Sequence, residues 1–116
     1  MKLSQRLLRN IEVIKVLAKC NSPRTQKKII QNASDDLIAC LIECVVNILN
    51  QKVYISKPTK NKLSNHTKEI RKLGKTRSKR VARELLVQKG SGVFLPLLLG
   101  PVLTAATSVI SGLLAD

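Results

Sequence analysis

Aromatic residues are almost missing from this chain: Tyr54 and Phe94 stand alone, and there is no Trp. A reader of single-stranded nucleic acid needs several aromatic platforms on which bases stack, so the sequence argues against that class. Acidic residues are scarce as well, 7 against 21 Lys and Arg, for a formal net charge of +14. Such scattered carboxylates give no footing for paired acid–base catalysis, and His66, the only histidine, supports no Ser–His–Asp set. A glycine-rich phosphate loop is also lacking. The expectation is a protein that is not an enzyme, with no catalytic residues and no cofactor. The three cysteines, Cys20, Cys40 and Cys44, are odd in number and contain no C-x-x-C pair, so neither a disulfide framework nor a metal site is expected. Cys40 and Cys44, four apart on one helix, read as small buried apolar residues in a reducing intracellular setting. Met1-Lys2-Leu3-Ser4 lacks the apolar core of a signal peptide.

What the chain does contain is sorted by charge. Its 116 residues allow one domain, provided most of them share a core. Residues 1–51 mix 8 basic with 4 acidic side chains; residues 52–89 carry 13 basic and 2 acidic ones, a net +11; residues 90–116 carry Asp116 alone. This sorting divides the chain into a helical core, a basic helical segment and an apolar tail. A large positive excess points to a polyanionic partner, nucleic acid or an anionic membrane surface.

The first segment has helical periodicity. Leu7, Leu8, Ile11, Ile14, Leu17 and Ala18 share one face of a first helix. Ser22-Pro23 has the form of a cap and first turn for a second helix carrying Ile29, Ile30 and Ala33. Ser34-Asp35-Asp36 reads as a third N-terminus, with carboxylates at the positive end of the helix dipole. That helix, Leu37 to Leu49, is apolar almost all round, with Glu43 and Asn47 as a solvated stripe. It must be covered by neighbouring helices or by a second copy of the chain, which makes a homo-oligomer one expected partner.

Lys52 to Ser56 is too short for a sheet and reads as an extended link that turns Val53 and Ile55 inward. Ser56-Lys57-Pro58 opens a fourth helix with Leu63, Ile70 and Leu73 on its apolar edge, ended or bent at Gly74. A last basic helix from about Ser78 to Gln88 packs through Val81, Ala82, Leu85 and Leu86. The candidate nucleic-acid-binding residues are Lys57, Lys60, Lys62, Lys68, Arg71, Lys72, Lys75, Arg77, Lys79, Arg80 and Arg83. Two amphipathic helices so rich in cations form an electrostatic footprint for double-stranded DNA, and no repeated base-reading pattern accompanies them. Lys75 to Arg80 also has the composition of a nuclear import signal.

Val93 to Leu114 runs without a charge. As a straight helix it would span about 33 Å, enough for a hydrocarbon core of about 30 Å. Pro96, Gly100, Pro101 and Gly112 interrupt it, so a bent, two-part segment is expected. Phe94, Leu95, Pro96, Leu97, Leu98, Leu99 and Pro101 are the candidate residues for docking to a capsid protein or a lipid membrane.

The stretch from Gln88 to Leu103, with glycines at 90 and 92 followed by Phe94-Leu95-Pro96-Leu97-Leu98-Leu99-Gly100-Pro101, resembles the C-terminal part of the adenovirus core protein mu (protein X) family. It is also similar to the related proteins of adintoviruses and Maverick/Polinton elements. The likeness covers about 28 residues from Gln88 onward, and mu is rich in Arg and His before its tail where this chain uses Lys. The resemblance implies a virion core protein that condenses double-stranded viral DNA, located in the virion core and host nucleus, with the tail contacting capsid or membrane. The alternative expectation is a tail-anchored or membrane-active small basic protein on an intracellular membrane. The fold class expected is all-α: a small domain of about three helices, then two basic amphipathic helices and a Pro- and Gly-broken apolar tail.

Overall fold

Serine begins each of the first four helices of this protein. Ser4, Ser22, Ser34 and Ser56 each sit in extended backbone and accept the N–H three residues on: Leu7, Thr25, Leu37 and Thr59. The helices so started are α1 (Gln5–Lys19), α2 (Pro23–Gln31), α3 (Asp35–Leu49) and α4 (Lys57–Leu63); α5 (Thr67–Lys75), α6 (Lys79–Lys89) and α7 (Phe94–Ala115) follow. The computed structural model describes residues 3–89 and 94–115, so the glycine-containing junction at 90–93 and Asp116 lie outside the described residues. Among the described residues there is no strand, and the chain is all-helical.

α3 is the hub. It touches α1, α5, α6 and α7, which accounts for the burial of Leu37, Ile38, Cys40, Leu41, Cys44, Val45 and Ile48 around its circumference. Gly74 lies within α5 rather than ending it. A Cβ there would stand 2.5 Å from Leu49 Cδ1, so the missing side chain lets α5 approach α3 closely. α3 ends in a reciprocal cap: Gln51 N–H donates to Ile48 O at 3.1 Å and Lys52 N–H to Asn47 O at 2.9 Å. The left-handed position of that motif, usually glycine, is Gln51 at φ 57°. The link that follows buries Val53, half-buries Ile55 and leaves Tyr54 85% exposed.

Several expectations change. Leu8 is 40% exposed rather than on the inner face of α1. Glu43 is half-buried, and its carboxylate accepts the Ser4 hydroxyl at 2.5 Å, tying the start of α1 to α3. The expected fourth helix is two helices parted by a 3-10 turn at Ser64–His66. Local polar side chains compete for the backbone there, since Ser64 Oγ donates to Asn61 O and Thr67 Oγ1 to Ser64 O. His66 meets the edge of Phe94 with ring centroids 5.2 Å apart. Gln26, fully buried, donates to the carbonyl of Cys20 and stitches α2 to the end of α1.

The largest change concerns the tail. α7 is one helix that packs most extensively on α1 and also on α3 and α4, burying Phe94, Leu95, Leu98, Leu99, Val102 and Ala106. These follow the spacing i, i+1, i+4, i+5, i+8, i+12, a single stripe. Pro96 stands in the first turn, where no N–H is needed. Pro101 removes a hydrogen bond to Leu97 O at a cost of about 3 kcal/mol. Gly100 before it has no Cβ to clash with the proline ring. Each large apolar side chain buried contributes about 1.5–3 kcal/mol, so the stripe outweighs the proline and the helix continues. One apolar cluster then runs from Leu7 to Ala106, shared by all three charge segments of the sequence.

Asp36, in the first turn of α3, gathers α1 to it. Arg9 Nη2 is 3.0 Å from Oδ1, Asn10 Nδ2 donates to Oδ2 at 2.9 Å, and Arg6 Nε lies 3.5 Å away. The Arg9 hydrogen bond, then that of Asn10, hold the Asp36 carboxyl at about 2, below its ordinary 3.8.

Three outcomes follow. Leu98→Ala lowers stability in urea titrations by about 2–5 kcal/mol, and truncation after Lys89 abolishes cooperative unfolding, because α7 completes the core. A lowered carboxyl pKa stabilises the fold above about pH 4, and that contribution fades as pH falls through about 2. Asp36→Asn is therefore less stable than wild type at pH 6, and the gap closes toward pH 2.

Candidate nucleic-acid interface

α5 sorts its residues by face. Ile70 and Leu73 are buried and Gly74 abuts α3, while Lys68, Arg71, Lys72 and Lys75 are exposed. Their spacing of i, i+3, i+4, i+7 sets four cations in one stripe on the side away from the core. On α4, Lys57, Lys60 and Lys62 are exposed around the buried Leu63; this helix lies against α7, whereas α5 lies against α3 and α6. Arg77 in the α5–α6 link, and Lys79 and Arg80 at the start of α6, are exposed as well. Among the described residues, ion pairs engage Arg6, Arg9, Lys15 and Arg83, and none involves a cation between Lys57 and Arg80. Among the described residues no carboxylate lies within ion-pair distance of these cations, and Glu69 is the one acid in the stretch.

Arg83 differs from its neighbours. Its guanidinium donates to Ile30 O at 2.8 Å and Ala33 O at 2.7 Å, and pairs with Asp35 at 3.2 Å. It therefore satisfies carbonyls at the C-terminal end of α2 and clamps α6 to the start of α3, with only 25% of its side chain exposed. Facing outward was the expectation for Arg83; carbonyls freed where α2 ends, invisible in the sequence, draw it inward.

A division of the chain at residue 52 hides other exposed cations. α2 packs on α6 and exposes Arg24, Lys27 and Lys28. Its own sequence holds no acid, but Glu12, Asp35, Asp36 and Glu43 on other helices mask that in a segment total. An open pocket of about 440 Å³ between α1, α3 and the α5–α6 link is lined by Arg6, Ala39, Ile42, Glu43, Thr76, Arg77 and Lys79.

The tail candidates divide. Phe94, Leu95, Leu98 and Leu99 are core, whereas Pro96, Leu97 and Pro101 are half-buried. With Tyr54, Ser56, Thr59, Gly100 and Thr104 they line a shallow groove of about 400 Å³ between α7 and the 52–56 link. Among the described residues, no helix is long and apolar enough to cross a membrane.

Cys40 and Cys44 are buried free thiols on α3. The hydrogen bond it donates to its neighbour Cys40, then burial, push the Cys44 thiol well above its ordinary range, which suits a packing residue rather than a nucleophile. No group of three or more His, Cys, Asp or Glu side chains that would hold a metal occurs among the described residues. What this surface offers chemically is a set of exposed cations on a rigid helical frame. No family model, curated protein or solved structure matches the chain.

Proposed function

We propose that this is a non-enzymatic DNA-binding protein, a virion core protein that holds and condenses double-stranded DNA without sequence preference. The observation that carries the reading is the run of exposed cations from Lys57 to Arg80, none of them in an ion pair among the described residues. A solvated helix face in an ordinary domain mixes its charges; here Glu69 is the only acid among those cations. Duplex phosphate, one charge for about every 1.7 Å of axis, is the partner such a face neutralises best. With Tyr54 as the exposed aromatic, affinity comes from backbone contacts rather than stacked bases. The resemblance to the mu family supplies the virion, the host nucleus and the condensing role. The part of the tail left for a capsid partner is the groove around Pro96, Leu97 and Pro101.

If about 6–8 cations each neutralise one phosphate, log K falls against log salt with a slope of roughly −5 to −7. Lys72→Gln makes that slope shallower by about 1 with the melting temperature unchanged, whereas Arg83→Gln lowers the melting temperature and leaves the slope alone. Fluorescence anisotropy with two unrelated duplexes at several salt concentrations reads the slopes, and thermal unfolding followed by circular dichroism reads the melting temperatures. A slope near zero, or binding to one duplex only, refutes the proposal.

A further inference from the structure

We infer that the pocket between α1, α3 and the α5–α6 link is a phosphate subsite, in which Arg6, Arg77 and Lys79 hold one phosphodiester of the DNA backbone. This rests on the function proposed above and assigns a particular contact within it. Arg6 comes from the first turn of α1, some seventy positions before Arg77 and Lys79, so the site exists only in the folded chain.

Three features favour an anion there. Arg77 and Lys79 are exposed and have no carboxylate within ion-pair distance among the described residues. Arg6 touches Asp36 through Nε at 3.5 Å, the longest of the ion pairs among the described residues, and a guanidinium has donors to spare. Ala39 and Ile42 of α3, both half-buried, give the pocket an apolar part of its lining. Apolar walls beside cations keep the local dielectric low and concentrate their field. The same pocket contains Glu43, whose carboxylate accepts the Ser4 hydroxyl at 2.5 Å. With Arg6 shared with Asp36 and Glu43 in the lining, Arg77 and Lys79 still leave the pocket positive, and Glu43 sets a limit on how tightly it holds an anion.

A guanidinium fork and an ammonium at one pocket suit the tetrahedral oxygens of phosphate, with Arg6 and Arg77 giving paired donors and Lys79 a point charge. Open on one side, the pocket admits a phosphate that remains joined to a chain. The phosphate subsite thereby links the basic segment's DNA contact to the α1–α3 junction, the place where Ser4 and Asp36 already fasten the first helix.

The test uses the full chain and a duplex in anisotropy titrations at several salt concentrations. Arg6→Gln and Lys79→Gln each weaken binding about tenfold and make the salt slope shallower by about 1. Their combination loses less than the product of the two, because both hold the same phosphate. Glu43→Gln, which still accepts the Ser4 hydroxyl, tightens binding severalfold, while Glu12→Gln on another face of α1 changes it less than twofold. Should Arg6→Gln melt too low for assay, Lys79→Gln and Glu43→Gln decide the matter. A wild type that binds while Lys79→Gln equals it, or a Glu43→Gln variant no tighter than Glu12→Gln, overturns the pocket and leaves the function standing. A wild type that binds no duplex overturns both. Inorganic phosphate at constant ionic strength that raises the melting temperature of wild type but not of Lys79→Gln, without weakening duplex binding, would assign the pocket to the free ion and overturn the backbone assignment.

Discussion

The stripe of Phe94, Leu95, Leu98, Leu99, Val102 and Ala106 seated on α1 and α3 is the contact on which the rest of this molecule depends. Without α7 the inner face of α1 keeps α3 alone as a main cover, since α2 packs on α6 and α5 on α3. An α3 apolar on nearly every side likewise needs a neighbour in each direction. The apolar end of the chain therefore supplies the core that a short, highly charged sequence otherwise lacks. Pro101 weakens α7 as a helix, and burial of its stripe more than offsets that loss.

That division of labour explains the surface. Because apolar content is gathered into α3 and α7, the helices between them need only a few buried residues each, such as Leu63 on α4, Ile70 and Leu73 on α5, and Ala82 and Leu86 on α6. Their remaining positions are free to carry cations. Mutual repulsion among so many like charges opposes folding, and the core must overcome it. A polyanion partner relieves the repulsion and so stabilises the folded state as it binds. Arg83 shows the opposite use of a cation, turned inward onto the carbonyls of Ile30 and Ala33 at the end of α2.

The sequence makes much of this legible, residue by residue. Ser22-Pro23, Ser34-Asp35-Asp36 and Ser56-Lys57-Pro58 mark three helix starts, because capping is a local interaction between neighbours in the chain. The greasy circumference of Leu37 to Leu49 identifies the hub, and alternating faces identify the cations of α5. What escapes is tertiary. In a stretch as uniformly apolar as Phe94 to Leu103, the buried stripe does not stand out from the rest, so the prolines dominate the reading and suggest a broken tail. Gln51 gives no hint of its left-handed backbone, since glycine is the usual signal there. Arg6 belongs to a balanced segment by charge, and only folding places it beside Arg77 and Lys79.

Hydrogen–deuterium exchange, with and without duplex DNA, tests the central claim that the apolar end is core and the cationic helices are the binding face. The account predicts slow exchange in α3 and in residues 98–106 of α7 without DNA, unchanged on adding it. DNA slows exchange in α5 and in the link from Thr76 to Ser78. Rapid exchange through α7 in the free protein, or DNA-dependent protection confined to α7, would contradict it.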